Sequence, residues 1–284
     1  MPPYPMAASA VVAPVLAGAP RPVRVVASTS QATYLATGDP RLPALCLARP
    51  GAVRLPCAVL VEPGAPGPSS LEGAAGTPGT AGTAGIADMA RVPDMAGTAG
   101  VVGWGRLALG AFTARVGRWW RPPLLPRLAR VDAGRLAACA ASLTARLLGR
   151  PGCAEADRLA AALRAGEPPE RTVRALLGCG PGLTPLGDDV LAGVLVTLRA
   201  RGAATAGPLG AAVTALAPAR TTFVSAALLR HADRGECVPQ LAAVLAAVGR
   251  DEPLDRPLAA LLNVGHTSGC GLAHGVAVGL GAQP

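Results

Sequence analysis

From about Asp132 to the C-terminus, Ala/Leu/Arg-rich stretches with helical periodicity follow one another, cut by Gly/Pro-rich turns at 149–152, 166–169, 178–182, 202–208, 217–219 and 249–253 and at Gly265. Breakers at that spacing leave room only for helices of ordinary length, so the pattern predicts an α-helical domain of about eight helices over 132–284. Upstream, Val23-Arg24-Val25-Val26, Ala32-Thr33-Tyr34-Leu35, Ala44-Leu45-Cys46-Leu47, Val53-Arg54-Leu55 and Ala58-Val59-Leu60-Val61 carry β signals separated by Gly, Pro and Asp. A run of strands followed by a run of helices reads as an α+β chain. The expected fold is a small N-terminal antiparallel β domain over 23–62, followed by the larger α-helical domain.

The remaining segments are read as follows. Residues 1–22 are expected to be a disordered N-terminus; their apolar stretch Ala7 to Gly18 lacks the basic flank of a secretory signal, which makes the expected location cytoplasmic. Residues 63–100 are Gly/Ala/Thr/Pro-rich, with Thr-Ala-Gly recurring, and are expected to be a flexible low-complexity insert. Residues 101–131 form an Arg/Trp-rich connector in which Arg106, Arg115, Arg118, Arg121, Arg127 and Arg130 stand with Trp119 and Trp120 and no acidic residue. Arg and Trp can bind nucleic acid. No nucleic-acid motif accompanies them, and all 26 basic residues of the chain are Arg, a bias that discounts the net charge of +9. A solvated face or a contact with an acidic partner subunit is the expectation, with no nucleic acid. The longest apolar run of the Gly-loop helix is interrupted at Gly193, so no membrane segment is expected. Seven cysteines without a C-x-x-C pair indicate neither a zinc site nor a disulfide framework.

Chemistry concentrates in Gly178-Cys179-Gly180-Pro181-Gly182-Leu183-Thr184-Pro185-Leu186-Gly187-Asp188-Asp189. Glycine at every second position lets the backbone turn at positive φ and brings amides toward a bound group. Thr184 and Pro185 read as the N-cap and first position of a helix running to Arg201, whose free N–H groups and dipole favour an anion. Asp188 and Asp189 either stabilise that first turn or hold Mg²⁺ bridged to a phosphate. The loop is neither a Walker A motif nor a dinucleotide fingerprint.

A second polar Gly turn, Asn263-Val264-Gly265-His266-Thr267-Ser268-Gly269, opens the small-residue run 270–279. Thr267 or Ser268 can cap that helix, and Gly271, Gly275 and Gly279 fall on one face, where another helix can pack unusually close. His266 is placed on the turn as an acid, base or donor to an anion, or makes a structural hydrogen bond. His231 lies within a helix and reads as a surface or packing residue rather than a ligand. Thr221, Thr222 and Ser225 offer hydroxyls around another helix start, for capping or for ligand.

In order and spacing, Gly180-Pro181-Gly182-Leu183-Thr184-Pro185 with Gly187-Asp188-Asp189, then Thr222 to Gly235, then Gly265-His266-Thr267-Ser268-Gly269 resemble the AllH-like family, known as a subunit of oxamate carbamoyltransferase. Weaker similarity runs through Gly51 to Pro56 and Trp119 to Pro122, so the resemblance covers most of the chain apart from the middle insert. Leu186 departs from it, because a small polar residue is expected before Gly187. The resemblance implies carbamoyl transfer between oxalurate and phosphate in purine (allantoin) degradation, with partner subunits. It makes Asp188, Asp189 and His266 candidate catalytic residues. Gly180, Gly182, Leu183, Thr184, Gly187, Thr222, Ser225, Gly265, Thr267, Ser268 and Gly269 are the candidate contacts to a small anionic substrate. Mg²⁺ on the two aspartates is the cofactor considered. A noncatalytic assembly subunit is the alternative.

Overall fold

The computed structural model describes residues 3–62, 99–152 and 154–282, which fall into two compact units, Met1–Pro122 and Pro123–Pro284. The first unit overturns the small antiparallel β domain. Among its described residues are eight strands, β1 (Tyr4–Ser9), β2 (Arg21–Ser28), β3 (Ala32–Ala36), β4 (Ala44–Ala48), β5 (Ala58–Val61), β6 (Ala99–Gly103), β7 (Arg106–Leu109) and β8 (Phe112–Trp120). They close into a barrel in the order β1-β5-β4-β3-β2-β6-β7-β8. The barrel is mixed, since β1 pairs parallel with β8 and β4 parallel with β5.

Four strands lie outside 23–62. β1 buries Met6, Ala7, Ala8 and Ser9 consecutively, so it carries no alternation. It replaces the disordered N-terminus expected over 1–22, together with a 3₁₀ turn and the short helix α1 (Ala13–Leu16). β8 turns Arg115, Arg118 and Trp119 to solvent while burying Phe112 and Ala114, so the Arg/Trp-rich stretch expected as a connector is largely strand. β6 and β7 complete the closure, which removes every free strand edge. Most of the expected insert, residues 63–98, lies outside the described residues.

The second unit is helical, as expected, with nine helices among the described residues: α2 (Ala133–Arg146), α3 (Ala154–Ala165), α4 (Glu170–Leu176), α5 (Leu186–Arg201), α6 (Ala206–Arg220), α7 (Phe223–Asp233), α8 (Pro239–Arg250), α9 (Asp255–Leu262) and α10 (Ser268–Gly281). The break expected at 217–219 does not fall there, because α6 runs through Pro218 to Arg220. α5 is apolar on nearly all sides and is buried almost throughout, as a helix without a polar face must be.

The glycine stripe of α10 is used as its spacing predicts. A Cβ added at Gly275 would lie 2.2 Å from the Val190 carbonyl oxygen on α5, and one at Gly193 would lie 2.4 Å from the Leu272 carbonyl oxygen on α10. The two backbones therefore touch where any side chain would hold them apart. Arg201, the last residue of α5, donates from Nη1 to the carbonyls of Gly279 and Ala282 at 2.7 and 2.8 Å, satisfying acceptors that a helix end leaves open. None of the helices among the described residues is long and apolar enough to cross a membrane.

Candidate functional site

Gly178, Gly180 and Gly182 hold φ of 75°, 110° and 98°, the left-handed region that the sequence pattern anticipates. The reason differs along the loop. A Cβ at Gly178 would meet the Arg220 carbonyl oxygen at 2.4 Å, whereas one at Gly182 would meet nothing within 4 Å. Gly178 is thus fixed by packing, while Gly182 is exposed at the tip. Gly187 is buried, its amide donating to the Cys179 carbonyl at 2.9 Å. A Cβ there would lie 2.1 Å from the Leu176 carbonyl oxygen.

The expected cap of α5 is displaced by one residue. Pro185 is the N-cap and makes no side-chain cap bond, and Leu186 is the first helical residue. The Thr184 hydroxyl instead shares a 2.9 Å hydrogen bond with that of Ser268, the first residue of α10. This bond joins the two Gly turns across 84 positions of sequence. Thr267 occupies the N-cap of α10 without a side-chain cap bond. Gly265 turns at φ 61° beside the Ser268 side chain, and Gly269 packs against the Leu261 carbonyl. Leu186, the departure from the family pattern, wedges between the loop and α10, close to the positions a Cβ would take at both Gly180 and Gly271.

The third segment joins the same network. Thr222 caps α7 by accepting from the Ser225 amide at 3.0 Å, and its hydroxyl donates to the Leu183 carbonyl at 2.5 Å. Asp188 is buried; Oδ1 accepts from the Gly178 amide at 2.9 Å and Oδ2 accepts from the Thr221 hydroxyl. Burial pushes its carboxyl above the ordinary value, and hydrogen bonds from Thr221, Gly178 and Ser225 pull it back. Asp188 therefore ties the Gly loop to the start of α7. Thr221, expected to cap or to meet ligand, instead holds Asp188.

Asp189 differs. It is only 8% exposed, and its Oδ2 has no hydrogen-bond partner. Burial pushes its carboxyl up to about 8, with Ser268 opposing and the neighbouring Asp188 adding to the rise. It lies in the first turn of α5 and against the first turn of α10, where a Cβ at Gly271 would be 2.7 Å from its own Cβ. A carboxyl raised to about 8 favours the neutral acid at neutral pH, and the oxygen without a partner is then free to carry the proton and donate one hydrogen bond.

Two sequence candidates stand outside this network. His266 is exposed on its turn, two residues before Ser268, and makes none of these hydrogen bonds. His231 is buried with Nδ1 2.5 Å from Glu236 Oε2, which is the packing role of the two expected of it. As a Mg²⁺ site the aspartate pair is incomplete. Both oxygens of Asp188 are engaged, and no group of three or more His, Cys, Asp or Glu side chains among the described residues could hold a metal.

The chain is therefore a two-unit protein, a closed mixed barrel and a helical unit in which three Gly- and hydroxyl-rich turns gather around two adjacent buried aspartates. Residues 176–280, from the end of α4 through nearly all of α10, match the family model described as oxamate carbamoyltransferase subunit AllH. The AllH-like resemblance read from the sequence is borne out over that stretch, which holds every candidate residue and takes in neither Gly51 to Pro56 nor Trp119 to Pro122. Neither the curated proteins nor the solved structures compared with the chain include a match.

Proposed function

We propose that this chain is a subunit of an oxamate carbamoyltransferase-type enzyme and that it binds a small anion, a carbamoyl, carboxylate or phosphate compound of purine degradation, at the joined starts of α5 and α10. The observation that carries the reading is Asp189 Oδ2, a buried polar atom without a partner at the meeting of two helix N-termini. Buried polar groups are almost always satisfied, and the positive ends of two helices favour a negative ligand. The protonated Asp189 donates to an anionic oxygen, the Gly182 amide at the open tip of the loop turns toward it, and Thr184 and Ser268 exchange their mutual bond for bonds to ligand. Asp188 positions the loop and does not touch the ligand.

A second reading, a noncatalytic assembly subunit, draws on the same network. The pairs Thr184–Ser268, Thr222–Leu183 and Asp188–Thr221 already satisfy one another. The test is thermal shift of the purified chain with phosphate, carbamoyl phosphate, oxamate and oxalurate, with and without Mg²⁺. Ligand at about a hundred times its Kd should stabilise the fold by about 2.7 kcal/mol. Asp189→Asn should retain binding and Asp189→Leu should lose it. No shift with any of the four compounds, in a folded protein, would reject the ligand site in favour of the assembly reading.

A further inference from the structure

The Arg/Trp-rich stretch plays no part in the helical site, yet on the barrel it builds a face with two locally unfavourable features side by side. The first is Trp104. In the two-residue turn between β6 and β7, Trp104 and Gly105 have φ of 49° and 71°, the pattern of a turn whose first position is ordinarily filled by Asn, Asp or Gly. A bulky aromatic there is a steric outlier. The turn is tied down on both amides, Trp104 donating to the Gly18 carbonyl at 2.9 Å and Gly105 to the Leu16 carbonyl at 2.7 Å. The indole gains no burial in return, being 73% exposed.

The second is a pair of like charges. Arg106 on β7 stands directly across from Arg115 on β8, both exposed, an arrangement that destabilises a sheet. Neither takes part in an ion pair among the described residues, and the positions flanking them in the same row are Gly103 and Pro5, which carry no charge. The next row out is small and mostly apolar: Pro22, Val101, Ala108 and Thr113 lie in register across β2, β6, β7 and β8, with Val101 49% exposed. Strain and unpaired charge that local rules disfavour are retained where function uses them.

We propose that this face of the barrel is the docking surface for an acidic partner protein, whose carboxylates sit between the Arg106 and Arg115 guanidinia and whose apolar residues cover Trp104 and the Val101 row. An apolar centre with Trp and Arg anchors is the composition of protein interfaces. A second copy would bring the same arginines against these, on a chain of net charge +9, so charge selects a different chain. Nucleic acid would answer the arginines but would leave Val101 and Ala108 uncovered. The proposal rests on the subunit reading above and assigns the surface through which that subunit meets its neighbour; the barrel lies outside the residues matched by the family model.

The test is co-expression of the full-length tagged chain with the remaining subunits of an oxamate carbamoyltransferase. The readouts are complex mass by size exclusion with light scattering, and Kd at two salt concentrations. Wild type should form a complex that weakens with salt. Trp104→Gly and Arg106→Glu/Arg115→Glu should bind about tenfold more weakly or worse, while Arg171→Glu, on α4, should bind as wild type does. Trp104→Gly should also melt above wild type, because glycine accepts the positive φ without strain. That rise keeps the result interpretable if the double charge reversal fails to fold. A wild-type complex that the face variants leave intact would overturn the docking face and leave the subunit reading standing. No wild-type complex would overturn both. Binding of a labelled single-stranded oligonucleotide that the same variants abolish, with subunit binding unchanged, would reassign the face to nucleic acid.

Discussion

Replacing Asp189 by asparagine should remove a pH dependence of folding whose sign is the reverse of the usual carboxylate. In the folded chain burial pushes this carboxyl up to about 8 from an ordinary 3.8. The folded state therefore keeps a proton that the unfolded state has already released, and stability falls as pH rises between those values. Its contribution is fully present below about pH 4, declines through the window and is gone above about pH 8. The slope is about 1.4 kcal/mol per pH unit, so two units inside the window cost about 3 kcal/mol. Asparagine carries no such proton and is flat across the same range. Urea unfolding followed by far-UV circular dichroism reports the helical unit. All three tryptophans lie in the barrel unit, so fluorescence follows that unit separately and serves as an internal control. The quantity to measure is the difference between wild type and Asp189→Asn at several pH values, in which Asp188 and the other titrating groups largely cancel. The variant should gain on wild type steadily from pH 5 to 8 by circular dichroism, with no change by fluorescence. A difference independent of pH would refute the buried, protonated assignment.

Gly275→Ala should destabilise the helical unit by on the order of 3 kcal/mol despite alanine's better helix propensity, since its Cβ would lie 2.2 Å from the Val190 oxygen; Gly207→Ala, where nothing lies within 4 Å, should leave the melting temperature unchanged or raise it. Asp188→Ala strands the Gly178 amide and the Thr221 hydroxyl and should cost about 2–4 kcal/mol, read as a lower urea midpoint together with faster proteolysis in the 178–185 loop. Arg201→Met leaves the carbonyls of Gly279 and Ala282 without their donor and should cost about 2 kcal/mol, with hydrogen exchange accelerated at the end of α10 ahead of the rest of the unit.

What the sequence made legible is what local physics decides. Three alternate glycines in one loop announced positive φ, and Gly271, Gly275 and Gly279 announced a close helix crossing, because both are properties of a few neighbouring residues. The barrel was hidden because closure is a property of pairings. β1 looks like a loop until β5 and β8 flank it, and the outward arginines of β8 mask the alternation of its buried Phe112 and Ala114. The same distinction explains the displaced cap. Thr184 followed by Pro185 is a sound local N-cap signal, yet the hydroxyl finds Ser268, a partner no window of sequence contains. The two adjacent aspartates looked equivalent and are not. Asp188 has Gly178 and Thr221 within reach, while one oxygen of Asp189 has no partner, a difference set by which side of α5 faces the loop and which faces α10.

Where α5 crosses α10, the nearest approach at Gly193 and Gly275 is between peptide units, with no side chain between them. Side chains ordinarily give a helix interface slack, because a rotamer can change or a methyl group can be traded while the axes stay put. Here there is nothing to trade. The separation of the axes is set by the van der Waals radii of carbonyl oxygen and Cα, which no substitution can shorten and any substitution lengthens. Asp189 in the first turn of one helix and Ser268 at the start of the other thus inherit a spacing fixed by contact between backbones rather than by the side chains around them.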